Sequence, residues 1–148
     1  MQIDRDQKNR ASKRGFGRDQ TGRGFSTMVI DDEFIDRRII VQLLRSVEFD
    51  VVVEATNGIE GILEYREKKP QIVILDMHMP KTSGLDVLQQ IKAIEPGVIV
   101  VMCTSDNTAK TVQSLLDTGA DEYIVKPIDR TQFLYKMEKL LIRKGLRI

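Results

Sequence analysis

From residue 26 onward the chain alternates between short continuous apolar runs and longer stretches whose apolar positions recur every three or four residues. The runs fall at residues 26–30, 51–53, 71–75, 98–103 and 123–125 and read as five strands. Three of them lack polar alternation, which suits parallel strands buried on both faces. The periodic stretches read as helices. The first carries Ile35, Ile39, Leu43 and Val47 at a spacing of four, and the second Ile59, Ile62 and Leu63 after Asn57-Gly58. The third carries Leu85, Leu88 and Ile91 and stops before Pro96-Gly97. The fourth carries Val112, Leu115 and Leu116 and ends at Gly119, a residue suited to a left-handed helix cap. The fifth carries Phe133, Met137, Leu140 and Leu141 behind Asp129 and Gln132, spaced like a capping box.

Strand and helix in strict alternation predict a doubly wound α/β domain with right-handed crossovers. The expected sheet is five-stranded and parallel in the order 2-1-3-4-5, the flavodoxin-like arrangement. Ligands of such sheets bind at the carboxyl ends of the strands, at the switch point between strands one and three.

The 148 residues, 41% apolar and 30% charged, suit one domain with a real core. The net charge of +1 is unevenly spread: residues 1–26 hold seven Lys/Arg against three Asp, leaving the remainder mildly acidic. Residues 1–25 lack hydrophobic periodicity and are expected to form a disordered basic tail, with the folded domain at 26–148. Two short Arg/Gly pieces there, at residues 15–18 and 22–25, are a weak echo of RNA-binding segments, and the modest charge argues against a nucleic-acid or lipid partner. Cys103 is the single cysteine and lies in an apolar run, which fits a buried thiol and a reducing cytoplasm. The longest aliphatic run, residues 98–103, is too short to span a membrane, and no apolar segment follows the basic N-terminus as in a secretory signal.

The strand ends carry the chemistry. Asp31-Asp32 follows the first, Asp76-Met77-His78-Met79-Pro80 the third, Thr104-Ser105 the fourth and Lys126-Pro127 the fifth. Carboxylates gathered at one point repel, so either their pKa values rise or a cation settles among them. An all-oxygen, partly hydrated site favours Mg²⁺. A carboxylate in line with a phosphate can attack phosphorus and form an aspartyl phosphate, helped by a lysine charge and a hydroxyl donor. An isolated Asp at a strand end is usually only a turn or cap, but three other strand ends do not then match by chance. His78 is either a ligand or base, or a side chain at the mouth of the site that tunes water access, as Asp106 would be. Met77, Met79 and Met102 read as packing. Tyr123 reads equally as a half-exposed core residue.

Taken together these motifs resemble a response-regulator receiver domain, similar to the single-domain chemotaxis regulators. The resemblance covers residues 26–144 and rests on Asp31-Asp32-Glu33, Leu75-Asp76-Met77-His78-Met79-Pro80 with Gly84, Thr104-Ser105, Gly119-Ala120-Asp121-Glu122-Tyr123 and Lys126-Pro127. It implies that Asp76 accepts a phosphoryl group from a histidine kinase or phosphotransfer protein. It implies Mg²⁺ held by Asp32, Asp76 and the backbone carbonyl of His78, with Asp31 acting through water. Lys126 would contact the phosphoryl group, Thr104 and Tyr123 would form the switch, and Lys126-Pro127 would be a cis peptide. Output would come from an unknown partner on the face of the fourth helix, fifth strand and fifth helix, the protein being a monomer or a weak phosphorylation-dependent dimer. On this reading it is no enzyme beyond its own phosphorylation and dephosphorylation. The rival expectations are a Mg²⁺-dependent phosphohydrolase with Asp76 as nucleophile, a constitutive scaffold, and the receiver part of a larger regulator.

Overall fold

Parallel pairing places five strands in one sheet in the order β2-β1-β3-β4-β5: β1 (Ser26–Ile30), β2 (Asp50–Ala55), β3 (Ile72–Asp76), β4 (Ile99–Thr104) and β5 (Glu122–Val125). The computed structural model describes residues 15–147. β3 and β4 are buried at every position, which explains their uninterrupted apolar sequence. β2, on the edge, alternates between exposed and half-buried positions until Ala55 and is longer than the apolar core of its sequence predicts.

Five helices cover the sheet: α1 (Phe34–Ser46), α2 (Gly58–Lys68), α3 (Gly84–Ile94), α4 (Ala109–Thr118) and α5 (Arg130–Arg143). The apolar interior is split by the sheet. One core joins α1 and α5 through Ile40, Leu44, Phe133, Met137 and Leu141, with Val29, Ile74 and Val101 from the strands. The other joins α2, α3 and α4 through Tyr65, Leu88, Ile91 and Leu115, with Met28, Val73 and Met102 from the strands. Side chains of a strand alternate between faces, so each central strand feeds both layers.

Helix starts follow the sequence closely. Asn57, Ser83, Thr108 and Asp129 each accept a backbone N–H from three residues on, supplying an acceptor for an otherwise orphaned donor. Gly119 closes α4 at φ 112°, a left-handed conformation that a side chain would strain. Gly84 brings α3 close under the turn after β3, where a Cβ would run into the carbonyl oxygen of Asp76.

Two helix faces differ from expectation. Ile35 and Ile39 are exposed, and α1 packs instead through Ile40, Val41, Leu43 and Leu44. Ile59 and Leu63 are likewise exposed, and α2 packs through Gly58, Gly61 and Tyr65. At Gly61 a Cβ would collide with the Ile30 side chain, so at this point the helix approaches the sheet through a missing side chain.

The expected disordered tail is also corrected over residues 15–25; residues 1–14 lie outside the described part. Phe16 and Phe25 are buried, with 2% and 1% of their surface exposed. Phe16 meets Phe49 edge to face at 5.7 Å between ring centres. The Gly17 amide donates to Val47 O (2.9 Å), the Phe25 amide to Gly17 O (2.8 Å), and Arg18 bridges Gly24 in antiparallel fashion. The segment is a strap across the amino ends of the strands, held by two aromatic anchors that carry no periodic signal.

No helix among the described residues is long and apolar enough to cross a membrane.

Candidate functional site

The first, third and fifth strands deliver ionisable groups to one point at the carboxyl edge of the sheet. Oxygen atoms of Asp31, Asp32 and Asp76 all lie within 4.8 Å of one another. Asp31 is held by its neighbours: Oδ1 accepts the Glu33 amide (2.9 Å), and Arg37 Nη1 donates to its carbonyl oxygen (2.8 Å). That bond from the Glu33 amide stands at the start of α1, where Glu33 supplies no side-chain cap.

Lys126 Nζ reaches across the cluster to Asp31 (3.0 Å), Asp36 (3.1 Å) and Asp76 (3.3 Å). Burial pulls the Lys126 ammonium down, but its hydrogen bond to Asp31 and the fields of Asp76 and Asp31 outweigh it and hold the group above its ordinary value. Burial and the neighbouring Asp31 charge push Asp76 up to about 7, against the opposing pull of Lys126. The pocket is thus short of positive charge even with its lysine in place.

Asp32 Oδ1 is buried and has no hydrogen-bond partner among the described residues. A buried carboxylate oxygen without a donor is costly, and a divalent cation is the partner that an acceptor-only group facing two other carboxylates can use. The donor set is all oxygen, as Mg²⁺ prefers. The residues present therefore fit the ion that the sequence implies. The His78 side chain lines the mouth of the cleft, and its backbone amide lies 3.4 Å from Asp76 Oδ1.

A cleft of about 410 Å³ opens over Asp76, bordered by Glu33, Asp36, His78, Ser105, Lys126 and Pro127. The Lys126–Pro127 peptide is cis. Thr104, at the end of β4, is buried and turned to its own loop: its hydroxyl donates to Asp106 O (3.1 Å) and accepts the Asp106 amide (3.0 Å). The Asp106 carboxylate in turn accepts from the Thr108 amide (3.0 Å) and the Thr111 hydroxyl (2.8 Å) at the start of α4. Those bonds hold its pKa below the usual carboxylate value. Tyr123 is half-buried against the α2–α4 core, with Lys136 Nζ 4.0 Å from its ring centre. Tyr123 pairs with Met102 and Thr104 with Val125, so Thr104 and Tyr123 lie on the same face of the sheet.

The structure therefore brings together Asp31, Asp32, Asp76 and Lys126, and sets Thr104 and Tyr123 beside them on the α4 side. Sequence reasoning missed Asp36 and Arg37. The available signal was position: one turn into the helix that starts beside Asp31-Asp32, a side chain can still face the strand ends.

Comparison with known proteins agrees with the fold. The model of the response regulator receiver domain matches residues 27–138. The chain is 38% identical over 112 residues to the chemotaxis protein CheY of Listeria monocytogenes, covering 76% of this chain and 94% of that protein. It is 32% identical over 114 residues to CheY of Bacillus subtilis, covering 77% and 95%. Among solved structures it resembles the CheX–CheY–BeF₃–Mg²⁺ complex of Borrelia burgdorferi, with a TM-score of 0.81 at 26% identity over 89% of this chain and 98% of that one.

Proposed function

This chain belongs to the family of response regulator receiver domains, a module of two-component signalling, and within that role we propose that Asp76 is the side chain that takes the phosphoryl group. The observation that carries the reading is the pairing of Asp76, buried beside Asp31, with an ammonium at 3.3 Å and an unpartnered Asp32 oxygen in the same cluster. Of the three clustered acids only Asp76 lines the open cleft, beside Lys126, while Asp31 is bonded to the Glu33 amide and to Lys126.

In the transfer, a carboxylate oxygen of Asp76 forms a bond to phosphorus as the P–N bond of a phosphohistidine donor breaks. The electron pair of that bond stays on the donor's imidazole nitrogen. Asp31, Asp32, Asp76 and the His78 carbonyl would hold Mg²⁺, which supplies counter-charge to the carboxylates and phosphoryl oxygens. Lys126 neutralises further charge at the acceptor. His78 and Asp106 border the approach of water and set how long the acyl phosphate lasts. The donor is a histidine kinase or phosphotransfer protein, the setting is the cytoplasm, and the domain turns over no substrate other than its own phosphoryl group.

The output runs through Thr104. Its hydroxyl is engaged with Asp106, so bonding a phosphoryl oxygen means leaving that loop, whose Asp106 side chain holds Thr108 and Thr111 at the start of α4. The space vacated beside β5 admits the Tyr123 ring, since packed interiors favour discrete arrangements. A partner then reads the altered surface of α4, β5 and α5.

The test is to incubate the protein with acetyl phosphate and Mg²⁺, trap the acyl phosphate and map it. Label on Asp76 in wild type, and none in Asp76→Asn, is the expected result. Label that persists on Asp31 or Asp32 in Asp76→Asn refutes it.

A further inference from the structure

A lysine ammonium has three N–H donors, and at Lys126 three carboxylates lie within reach of them: Asp31 at 3.0 Å, Asp36 at 3.1 Å and Asp76 at 3.3 Å. A phosphoryl oxygen that is to bond this ammonium must displace one of the three.

The partners are not equal. Asp31 and Asp76 keep only 1% and 4% of their side-chain surface exposed, whereas Asp36 keeps 30%. Releasing a buried carboxylate strands a charge away from water, and releasing Asp36 lets it rehydrate at the mouth of the cleft it lines. Asp31 and Asp76 also belong to the cluster that suits a cation, and Asp36 does not. It sits in the first turn of the 13-residue α1, where the helix dipole favours a negative charge, so the carboxylate stays in place after the lysine departs. It would then face the negative charge of the phosphoryl group across the same cleft.

We propose that Asp36 is a positioning residue that holds Lys126 in competition with the phosphoryl group on Asp76, limiting how tightly and how long that group is kept. This rests on Asp76 as phosphoacceptor. The competition has two parts, a donor withheld before loading and a like charge left behind after it.

The probe is beryllofluoride, titrated at saturating Mg²⁺ against wild type, Asp36→Asn and Asp36→Glu, with binding read from backbone amide shifts. Asp36→Asn keeps the side chain's shape and removes its charge. It should bind beryllofluoride roughly three- to tenfold more tightly, the scale of a partly exposed ion pair, and its acyl phosphate should hydrolyse more slowly by a similar factor. Asp36→Glu, which restores the charge, should move both values back toward wild type. In metal-free protein, the Lys126 ammonium protons should exchange with water faster in Asp36→Asn, a signal that a merely structural residue would not move. Unchanged or weaker beryllofluoride binding in Asp36→Asn, with wild type binding normally, overturns the competition and leaves Asp76 as acceptor. Wild type that takes no beryllofluoride overturns both, and the ammonium exchange then reports separately whether Asp36 holds the lysine.

Discussion

Replacing Asp76 by Asn should stabilise the metal-free protein, and the gain should depend on pH. The folded protein holds the Asp76 midpoint at about 7 against an ordinary 3.8, chiefly through burial and the Asp31 charge. Between those two values the folded state keeps a proton that the unfolded state has lost, so stability falls as pH rises through that window. Below pH 4 the acid is neutral in both states and costs nothing; above pH 7 the penalty is complete. At 1.36 kcal/mol per pH unit the full penalty is on the order of 4 kcal/mol. Asn keeps the shape and cannot ionise, so Asp76→Asn should exceed wild type by about 2–4 kcal/mol at pH 8 and match it near pH 4. Urea unfolding from pH 4 to 8.5 in the presence of a chelator measures this directly. Mg²⁺ should then narrow the gap at pH 8, because a ligand at a hundredfold its Kd stabilises the wild type by about 2.7 kcal/mol. A difference between the two proteins that does not change with pH, or an Asp76→Asn protein weaker than wild type at pH 8, would refute the account of a pocket short of positive charge.

Asp32→Ala should lose Mg²⁺ affinity by more than about tenfold, the equivalent of one charge-assisted contact, whereas Lys126→Ala should bind the ion at least as well and fail in phosphoryl transfer; direct Mg²⁺ titration of both separates the roles. Thr104→Ala should still be labelled by acetyl phosphate but lose most beryllofluoride-induced amide shift changes across residues 107–135, and full wild-type changes there would exclude Thr104 from the relay. Phe16→Ala should cost about 3 kcal/mol, the range for emptying a buried aromatic site, with phosphorylation at Asp76 unchanged once folded; an unaltered melting temperature would mean the strap does not hold the base of the domain.

The strands and the site were legible in the sequence for the same reason. Central parallel strands are apolar without interruption, so the first polar residue after each run marks a strand end, and Asp31, Asp76 and Thr104 are such residues. Helix faces were less legible. Spacing by four picks out a stripe but not which stripe packs: Ile35 and Ile39 share a period with Leu43, yet only Leu43 is buried, and α2 comes closest to the sheet at Gly61 and to α3 at Gly58. Glycine contributes nothing to a hydrophobic pattern even where it makes the closest approach. Phe16 and Phe25 were invisible for another reason, since single aromatics among Gly and Arg acquire their burial from distant residues such as Phe49. Asp36 belongs to no motif, and only the three-dimensional position of Lys126 reveals its partner.

The sheet that parts the apolar interior also divides the labour of adaptation. The α1–α5 layer and the α2–α4 layer share few direct side-chain neighbours, and substitutions without shared partners combine additively. Variation that hardens or softens one layer can therefore accumulate without retuning the other. At the carboxyl rim the two halves come closest in function, with Lys126 reaching Asp36 of α1 and Thr104 bonded to the loop that leads into α4. A lineage, or an engineer, can thus repack the layer of α2, α3 and α4 while keeping intact the layer that supplies α1 and α5.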